Sequence, residues 1–122
     1  MPHIRWGKTP DPHDYTAAEA YLSLLVGRPE ARRVTQDLLG AEVTDHRAND
    51  ILRASGLGLL EPDDDHIAAD LGRIAMRVPL SPILLVRPGV LGGRLVVADG
   101  YHRLCAAVHH DPTCLVPAKV AR

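Results

Sequence analysis

Residues 99–103, Asp-Gly-Tyr-His-Arg, form the group in this sequence whose types and spacing best suit chemistry. They follow an apolar run rich in β-branched residues, and the apolar residues after them recur at helical spacing. The period therefore changes from strand to helix at Gly100. Such a turn predicts a binding site for an anion, because the first amides of a new helix have no partner within it.

The side chains of this turn favour a phosphate group. Gly100 allows a positive φ and a close approach of another group to the main chain. The amides near His102, Arg103 and Leu104 are the predicted free donors, with the forked Arg103 guanidinium and the His102 ring beside them. Tyr101 completes the predicted phosphate-binding set. The alternative is an ordinary tight turn in which Arg103 only covers the helix end.

Asp99, at the end of the strand, fits either of two roles. As a catalytic residue it would hold Mg²⁺ through one carboxylate oxygen, while the ion takes phosphate oxygens and water. As a structural residue it would cap the helix amides and so place a negative charge beside the phosphate. The two roles predict opposite effects of Asp99→Asn on nucleotide binding.

The turn and the strand after its helix resemble the ParB/sulfiredoxin superfamily. Sulfiredoxins have a Gly-Gly-Cys-His-Arg turn, a helix and an Ile-Pro-Ala-Lys-like strand, to which residues 116–119, Val-Pro-Ala-Lys, are similar. Free-serine kinases of the superfamily have Asp-Gly-His-His-Arg, which is similar to residues 99–103 at every position except Tyr101. The resemblance covers roughly residues 60–121. It implies a nucleotide phosphate, of ATP, ADP or CTP, at the turn.

Two departures narrow what the resemblance implies. Tyr101 stands where sulfiredoxins have their reactive cysteine, and a phenol cannot form the thiol-linked intermediate of sulfinic-acid repair. Partition-type ParB proteins have a Glu-Arg-Arg run after the glycine, which this sequence lacks, so their CTP switch is not implied. Phosphoryl transfer remains as an enzyme activity, with Glu61 or one of residues 63–65 as the carboxylate that accepts a proton, by analogy with the serine kinases.

The resemblance also adds two residues from an earlier helix. In sulfiredoxins the corresponding helix, placed here by similarity at residues 63–74, carries polar residues that face the nucleotide. His66 and Arg73 occupy two of those positions and, seven residues apart, share one side of the helix. The acidic residues 63–65 fit helix capping best, and metal ligation is the alternative.

Two classes of function follow from these residues. The first is an enzyme that transfers a phosphoryl group with Mg²⁺ at Asp99. The second is a non-catalytic binding module, either nucleotide-sensing or DNA-associated. The DNA alternative rests on a helix-turn-helix interpretation of two helices joined through Gly40, with Arg47 and Arg53 as phosphate contacts. The loose joint from Gly40 to Thr44 favours ordinary helix packing instead.

Composition and charge restrict the class of protein. The 122 residues suit one domain, and 46% hydrophobic with 24% charged residues is typical of soluble globular proteins. No apolar run is long enough to cross a membrane and the first residues lack a signal-peptide pattern, so we expect a cytoplasmic protein. A net charge of −1 and 3% aromatic residues argue against nucleic-acid binding through a general basic field or base stacking.

Three helices are predicted in the N-terminal part, residues 1–58, after an irregular arm at 1–15. Thr16 and Glu19 form a capping box at the start of the first helix. Gly40 ends the second, and Pro29 suits its first turn. The predicted helices are residues 16–27, 29–40 and 45–55, and the apolar face of the first is Ala17, Ala20, Tyr21, Leu24 and Leu25.

The remaining residues, 59–122, predict a core of ParB/sulfiredoxin type. Proline and glycine at 88–93 predict a turn between two strands of a hairpin that leads into the site. The fold class is therefore α+β, a single domain of residues 1–122 in which a small mixed sheet lies behind an added helical N-terminal half. The predicted strands are 83–87, 94–98 and 115–120, and the predicted helices are 63–74 and 101–110.

Overall fold

The structure is a computed structural model, and it describes residues 3–89 and 93–122. Within those ranges the chain forms five helices and four strands. The helices are α1 (Pro12–Val26), α2 (Arg28–Gly40), α3 (Ala48–Ser55), α4 (Asp65–Ala75) and α5 (Tyr101–His110), and the strands are β1 (Val43–Arg47), β2 (Ile83–Val86), β3 (Val96–Asp99) and β4 (Leu115–Ala121).

The four strands form one mixed sheet in the order β1-β4-β2-β3. β1 pairs antiparallel with β4, β4 pairs parallel with β2, and β2 pairs antiparallel with β3. The predicted α+β class with a small mixed sheet is confirmed. Because β3 ends at Asp99 and α5 begins at Tyr101, the chain passes from the sheet directly into the turn of the predicted site.

Strand β2 shows how helices cover both faces of the sheet. All four of its residues are buried, as expected for an inner strand. Ile83 and Leu85 pack on the side of α3 and α5, whereas Leu84 and Val86 pack on the side of α1 and α2. The site turn thus lies at one end of a sheet held rigidly between two helical layers.

Helix α4 lies against α5 through a third apolar cluster. Ile67 and Ile74 of α4 pack against Cys105 of α5. The N-terminal arm supports this arrangement, because Trp6 forms a β-bridge with Leu80 and packs against the same cluster. The packing places one side of α4 and the N-terminal turn of α5 on a common cavity.

The start of α1 differs from the prediction. The helix begins at Pro12, with Asp11 as its N-cap, and not at Thr16. Proline is favourable at this first position because its fixed φ suits a helix and its missing N–H costs nothing there. Thr16 therefore lies inside the helix, and the predicted capping box with Glu19 is wrong.

The buried face of α1 is also not the predicted one. All five residues of the predicted apolar face are exposed, Leu24 by 83%. The buried side is Asp14, Ala18 and Leu22, which recur at intervals of four. The small Ala18 packs in one cluster with Ala31 of α2, so close helix packing determined the face more than side-chain hydrophobicity did.

Strand β1 replaces the first part of the predicted third helix. Val43 pairs with Lys119 and Arg47 with Leu115, so hydrogen bonding to a distant strand overrides the local helical pattern. Helix α3 begins only at Ala48. Because β1 separates α2 from α3 and carries Arg47, the helix-turn-helix interpretation is wrong.

The C-terminal elements agree closely with prediction. The end of α2 at Gly40 and the bounds of α5 are confirmed, and β2 and β4 differ from prediction by one residue at a single end. β3 begins at Val96 instead of residue 94, because the Leu95 amide donates to Ala54 of α3 at 3.1 Å. The predicted turn at 88–93 lies partly outside the described residues. No helix in the described ranges combines the length and apolar character needed to cross a membrane.

Candidate functional site

The turn between β3 and α5 is built around Gly100, whose φ is +104°. A Cβ placed there would lie 2.4 Å from Cγ2 of Ile83 and 2.9 Å from Nη2 of Arg103. A side chain at this position would be strained by the φ and crowded by both neighbours. Glycine therefore allows β3 to enter α5 with the Arg103 guanidinium directly beside the main chain.

The first turn of α5 has no side-chain cap among the described residues. Its N-cap is Gly100, whose carbonyl accepts the amide of Leu104 at 2.9 Å. Leu104 is therefore not one of the free donors, and the amides of residues 101–103 are the ones without an intrahelical acceptor. In the part of the chain that the structure describes, Asp99 accepts no hydrogen bond from these amides, so the predicted capping role is wrong.

Asp99 contacts Arg103 instead. Arg103 Nη2 donates to Asp99 Oδ2 at 3.1 Å, and the same nitrogen lies 3.7 Å from Asp14 Oδ2. Asp14 belongs to α1, is only 3% exposed, and accepts a hydrogen bond from the Ser81 hydroxyl. One guanidinium nitrogen thus lies between two carboxylates, one from β3 and one from the N-terminal helix.

The surroundings of Asp99 alter its acidity. Burial raises the pKa of Asp99, the positive charge of Arg103 opposes that rise, and the carboxylate of Asp14 adds to it. Burial and a like charge both favour the neutral acid. Asp99 therefore binds a proton more readily than an ordinary aspartate does.

Helix α4 supplies the second wall of the site. Its N-cap is Asp64, whose Oδ1 accepts the amides of His66 at 2.9 Å and Ile67 at 3.2 Å. The capping interpretation of the acidic run is thereby confirmed. Two turns further along, Arg73 Nη1 donates to Asp70 Oδ1 at 2.7 Å, which directs the guanidinium along the helix surface.

A cavity of about 230 Å³ lies between α4 and the β3–α5 turn. The ring of His66, from α4, lies against the ring of His102, from α5, with centroids 4.6 Å apart. Of the predicted site residues, Tyr101 and the candidate proton acceptors Glu61 and residues 63–65 do not line this cavity, and the structure brings the others together. The lining residues are His66, Ala69, Asp70, Arg73, Asp99, Gly100, His102 and Arg103.

Tyr101 lies outside this cavity. Its hydroxyl donates to the carbonyl of Gly58, in the loop before α4, and its ring packs against the apolar clusters on both sides of α5. Burial raises the pKa of Tyr101. The side chain therefore connects the start of α5 to the preceding loop, and it does not reach the predicted phosphate position.

Arg103 has a further hydrogen-bond donor for which the described residues provide no acceptor. Its Nε is buried and has no hydrogen-bond partner among the described residues, and the side chain as a whole is 18% exposed. Buried donors without an acceptor are rare in proteins. An oxygen of a bound anion is a chemically suitable acceptor for this N–H.

Sequence reasoning missed two polar residues of the site. Asp14 was placed in an irregular arm, and its burial arises only when α1 packs on the sheet, so no local signal marks it. Asp70 could have been found, because it lies three residues before Arg73, a spacing that forms ion pairs on a helix.

The contacts of Asp99 do not fit a Mg²⁺ ion. Magnesium is often held by one or two carboxylates, with water and phosphate oxygens in the remaining octahedral positions, so the charges around the carboxylate decide whether it suits the ion. Here Asp99 and the buried Asp14 both face the Arg103 guanidinium, and Asp14 also accepts from Ser81. A cation between these groups would be repelled by Arg103, which already supplies the positive charge beside Asp99.

A second group with metal-ligating side chains lies at the start of α1. Ligand atoms of Asp11, His13 and Asp14 all lie within 4.8 Å of one another. The positive end of the helix dipole and the Arg103 guanidinium, 3.7 Å from Asp14, both oppose a cation there. This group therefore adds no support for a metal site.

No protein-family model, curated protein or solved structure matches this chain. The similarity of residues 99–103 to the ParB/sulfiredoxin turn consequently stays a prediction. The function of the cavity has to be argued from its own geometry.

Proposed function

We propose that the cavity between α4 and α5 binds the phosphate group of a small molecule, with a nucleotide such as ATP, ADP or CTP as the first candidate. One observation carries the proposal. His66 and Arg73 from α4 and His102 and Arg103 from the first turn of α5 line a single cavity. Four donor side chains from two separate helices meet at this one place.

The chemistry of these groups suits phosphate better than other small ligands. Guanidinium groups bind phosphate oxygens through paired hydrogen bonds, and imidazole rings donate further ones. The uncapped N-terminus of α5 adds main-chain amides and the positive end of the helix dipole. The buried Nε of Arg103 gains an acceptor when an anion is bound.

The volume of the cavity indicates how much of the ligand it encloses. Pockets that enclose a whole small molecule measure roughly 300–1,000 Å³. The cavity here measures about 230 Å³ and its walls are mainly polar. It therefore encloses the phosphate group, while the remainder of the ligand lies at the rim.

We propose binding without phosphoryl transfer. Transfer requires Mg²⁺ to neutralise the charge that develops on the phosphate oxygens, and the contacts of Asp99 do not fit that ion. The DNA-associated alternative loses its structural basis because β1 interrupts the two helices on which it depended. The turn motif that resembles the serine kinases supports the proposal only in placing a nucleotide phosphate at Gly100.

Thermal unfolding with ATP, ADP, CTP, GTP and inorganic pyrophosphate, each with and without Mg²⁺, tests this function. A ligand at a hundred times its dissociation constant should add about 2.7 kcal/mol to the free energy of unfolding, which raises Tm by several degrees. We expect the increase without Mg²⁺. If none of these ligands changes Tm at millimolar concentration, the proposal is wrong.

Arg73→Ala is the most informative variant for this test. Its guanidinium is half exposed and pairs only with Asp70, so its removal should weaken binding with little change in unliganded stability. Arg103→Ala would also leave Asp14 and Asp99 without their shared cation, so loss of binding there is harder to interpret. Arg53→Ala is the matched control, because Arg53 forms the same kind of helical pair on α3, away from the cavity.

A further inference from the structure

We infer that the phosphate site takes up protons when it binds its anion, and that His66 and His102 are the groups that gain them. The inference rests on the proposed function and adds how the charge of that site is regulated. It arises from the permanent charges around the cavity, which do not by themselves favour an anion.

Every guanidinium at the cavity is already paired with a carboxylate. Arg73 Nη1 lies 2.7 Å from Asp70 Oδ1. Arg103 Nη2 lies 3.1 Å from Asp99 and 3.7 Å from Asp14. Two positive groups thus face three negative ones, a net charge of −1 while both imidazoles are neutral. A dianion entering this environment would be opposed by the net field.

The two histidines are the side chains that can reverse the sign of this net charge. Histidine is the side chain that ordinarily gains positive charge between about pH 8 and pH 5. Both rings line the cavity, with centroids 4.6 Å apart. Two protons on His66 and His102 would change the net charge from −1 to +1.

The closeness of the two rings couples the protons to the anion. Two imidazolium ions with ring centroids 4.6 Å apart would repel each other. An anion in the cavity beside the two rings attracts both charges and offsets that repulsion. By linkage, a ligand that favours protonation is itself bound more tightly when protons are more available.

Of the other groups that face the two rings, Tyr101 and Asp64 do not provide this change of sign. The ring centroid of Tyr101 lies 5.8 Å from that of His102. The Tyr101 side chain is neutral over this pH range, and its hydroxyl donates to the Gly58 carbonyl. Asp64, at the start of α4, is held by the amides of His66 and Ile67. Asp99, whose pKa is raised by burial, loses negative charge in the same direction as the histidines gain positive charge.

Calorimetric titration with sulfate tests the coupling. Sulfate keeps two negative charges throughout the range of histidine, so any dependence on pH belongs to the protein. We expect the affinity for sulfate to rise about tenfold for each pH unit of acidification while one proton is taken up. Repeating each titration in a second buffer with a different ionisation enthalpy counts the protons directly.

The double variant His66→Gln, His102→Gln identifies the proton acceptors. The His66 side chain is exposed and that of His102 half-buried, so the core is unaffected. We expect its affinity for sulfate to lose most of its dependence on pH, and to be lower than that of the unmodified protein because two ring donors are also lost. His3→Gln is the control, because His3 is exposed and lies near Asp111, after the opposite end of α5.

The outcomes separate this inference from the proposed function. If sulfate binds equally at every pH and Arg73→Ala weakens that binding, the site binds anions but the proton coupling is wrong. A pH dependence that survives in the double variant would also overturn the assignment to His66 and His102. If neither sulfate nor phosphate binds at any pH, the proposed function fails together with the inference.

Discussion

Helices α4 and α5 line the same cavity, but they treat the free amides at their N-termini differently. At α4 the carboxylate of Asp64 accepts two amides and adds a negative charge to the positive end of the helix. At α5 the N-cap is Gly100, which has no side chain to offer. The N-terminus of α4 is therefore satisfied internally and contributes only side chains. That of α5 keeps main-chain donors for a ligand.

From this difference we expect a helix N-terminus to bind an anion only where its first turn is left uncapped. The acidic residues 63–65 satisfy α4, and a glycine with positive φ leaves α5 open. The following predictions test whether this difference, and not the mere presence of two helix ends, produces the site.

Gly100→Ala should have the largest effect. The added Cβ would lie 2.4 Å from Ile83 Cγ2, in a backbone conformation with φ of +104° that alanine tolerates poorly. The left-handed conformation costs about 1–2 kcal/mol and overpacking about 1–3 kcal/mol. We expect the free energy of unfolding, measured with urea, to fall by about 2–5 kcal/mol.

Gly72→Ala, on α4, is the matched control for this substitution. Apart from its chain neighbours and the backbone of its own helix, no atom of the described residues lies within 4 Å of a Cβ at Gly72, so alanine there should stabilise the helix by about 0.5–1 kcal/mol. Equal effects of the two alanines would show that Gly100 is not required by the geometry of the turn.

Asp64→Ala should have the next largest effect. The variant loses the acceptor for two amides, which costs about 1 kcal/mol of stability. Phosphate affinity should stay the same or increase slightly, because α4 then offers an uncapped N-terminus as well. Urea unfolding and calorimetric titration of the same preparation measure both effects. A loss of phosphate binding would contradict the distinction between the two helix ends.

Tyr101→Phe should lower stability modestly and leave anion binding unchanged. The hydroxyl donates to Gly58 and is also hydrogen-bonded to the Cys105 thiol, while the ring remains packed, so the loss is about 0.5–1.5 kcal/mol for each hydrogen bond. Thermal unfolding gives the loss of stability, and a phosphate titration gives the affinity. If the affinity falls more than tenfold, Tyr101 belongs to the phosphate site after all.

Asp99→Asn should have the smallest effect, visible as a change in pH dependence. The pKa of Asp99 is raised by burial in the folded protein, so the folded state holds this proton more tightly than the unfolded state. The stability contributed by the neutral acid is present below the ordinary aspartate pKa of about 3.9 and is lost as pH rises through the raised value. The asparagine variant should therefore gain stability relative to the unmodified protein as pH rises towards neutrality. Urea unfolding over this range measures the difference, and the opposite trend would indicate that the Arg103 ion pair outweighs burial.

The parts of the site that could be predicted from sequence are those defined by local signals. The change of period at Gly100 located β3 and α5, and helical spacing placed His66 and Arg73 on one side of α4, but only the resemblance to sulfiredoxins assigned that side to the site. These signals involve residues within about two helical turns, where propensity and spacing dominate. The position of the Tyr101 side chain could not be predicted from these signals, because its direction depends on the space that the packed structure leaves around the turn.

The remainder depended on contacts between distant parts of the chain. β1 is a strand because β4 lies beside it, although its own residues fit a helix equally well. Asp14 joins the site because α1 buries it beside Ser81 and Arg103. Neither contact leaves a pattern in the neighbouring residues, so periodicity and capping rules could not find them.

The strand order β1-β4-β2-β3 also has a consequence for protein synthesis. The chain is made from its N-terminus, so β1 and β2 leave the ribosome well before β4, which separates them in the sheet. Until then the edge of β2, with its apolar sequence Ile-Leu-Leu-Val, is open to pairing with other chains. β1 is without its partner strand for longer than β2, but it carries the charged residues Asp45 and Arg47, which disfavour pairing with other chains. We therefore expect β2 to be the segment through which chains aggregate during the interval before β4 has been synthesised.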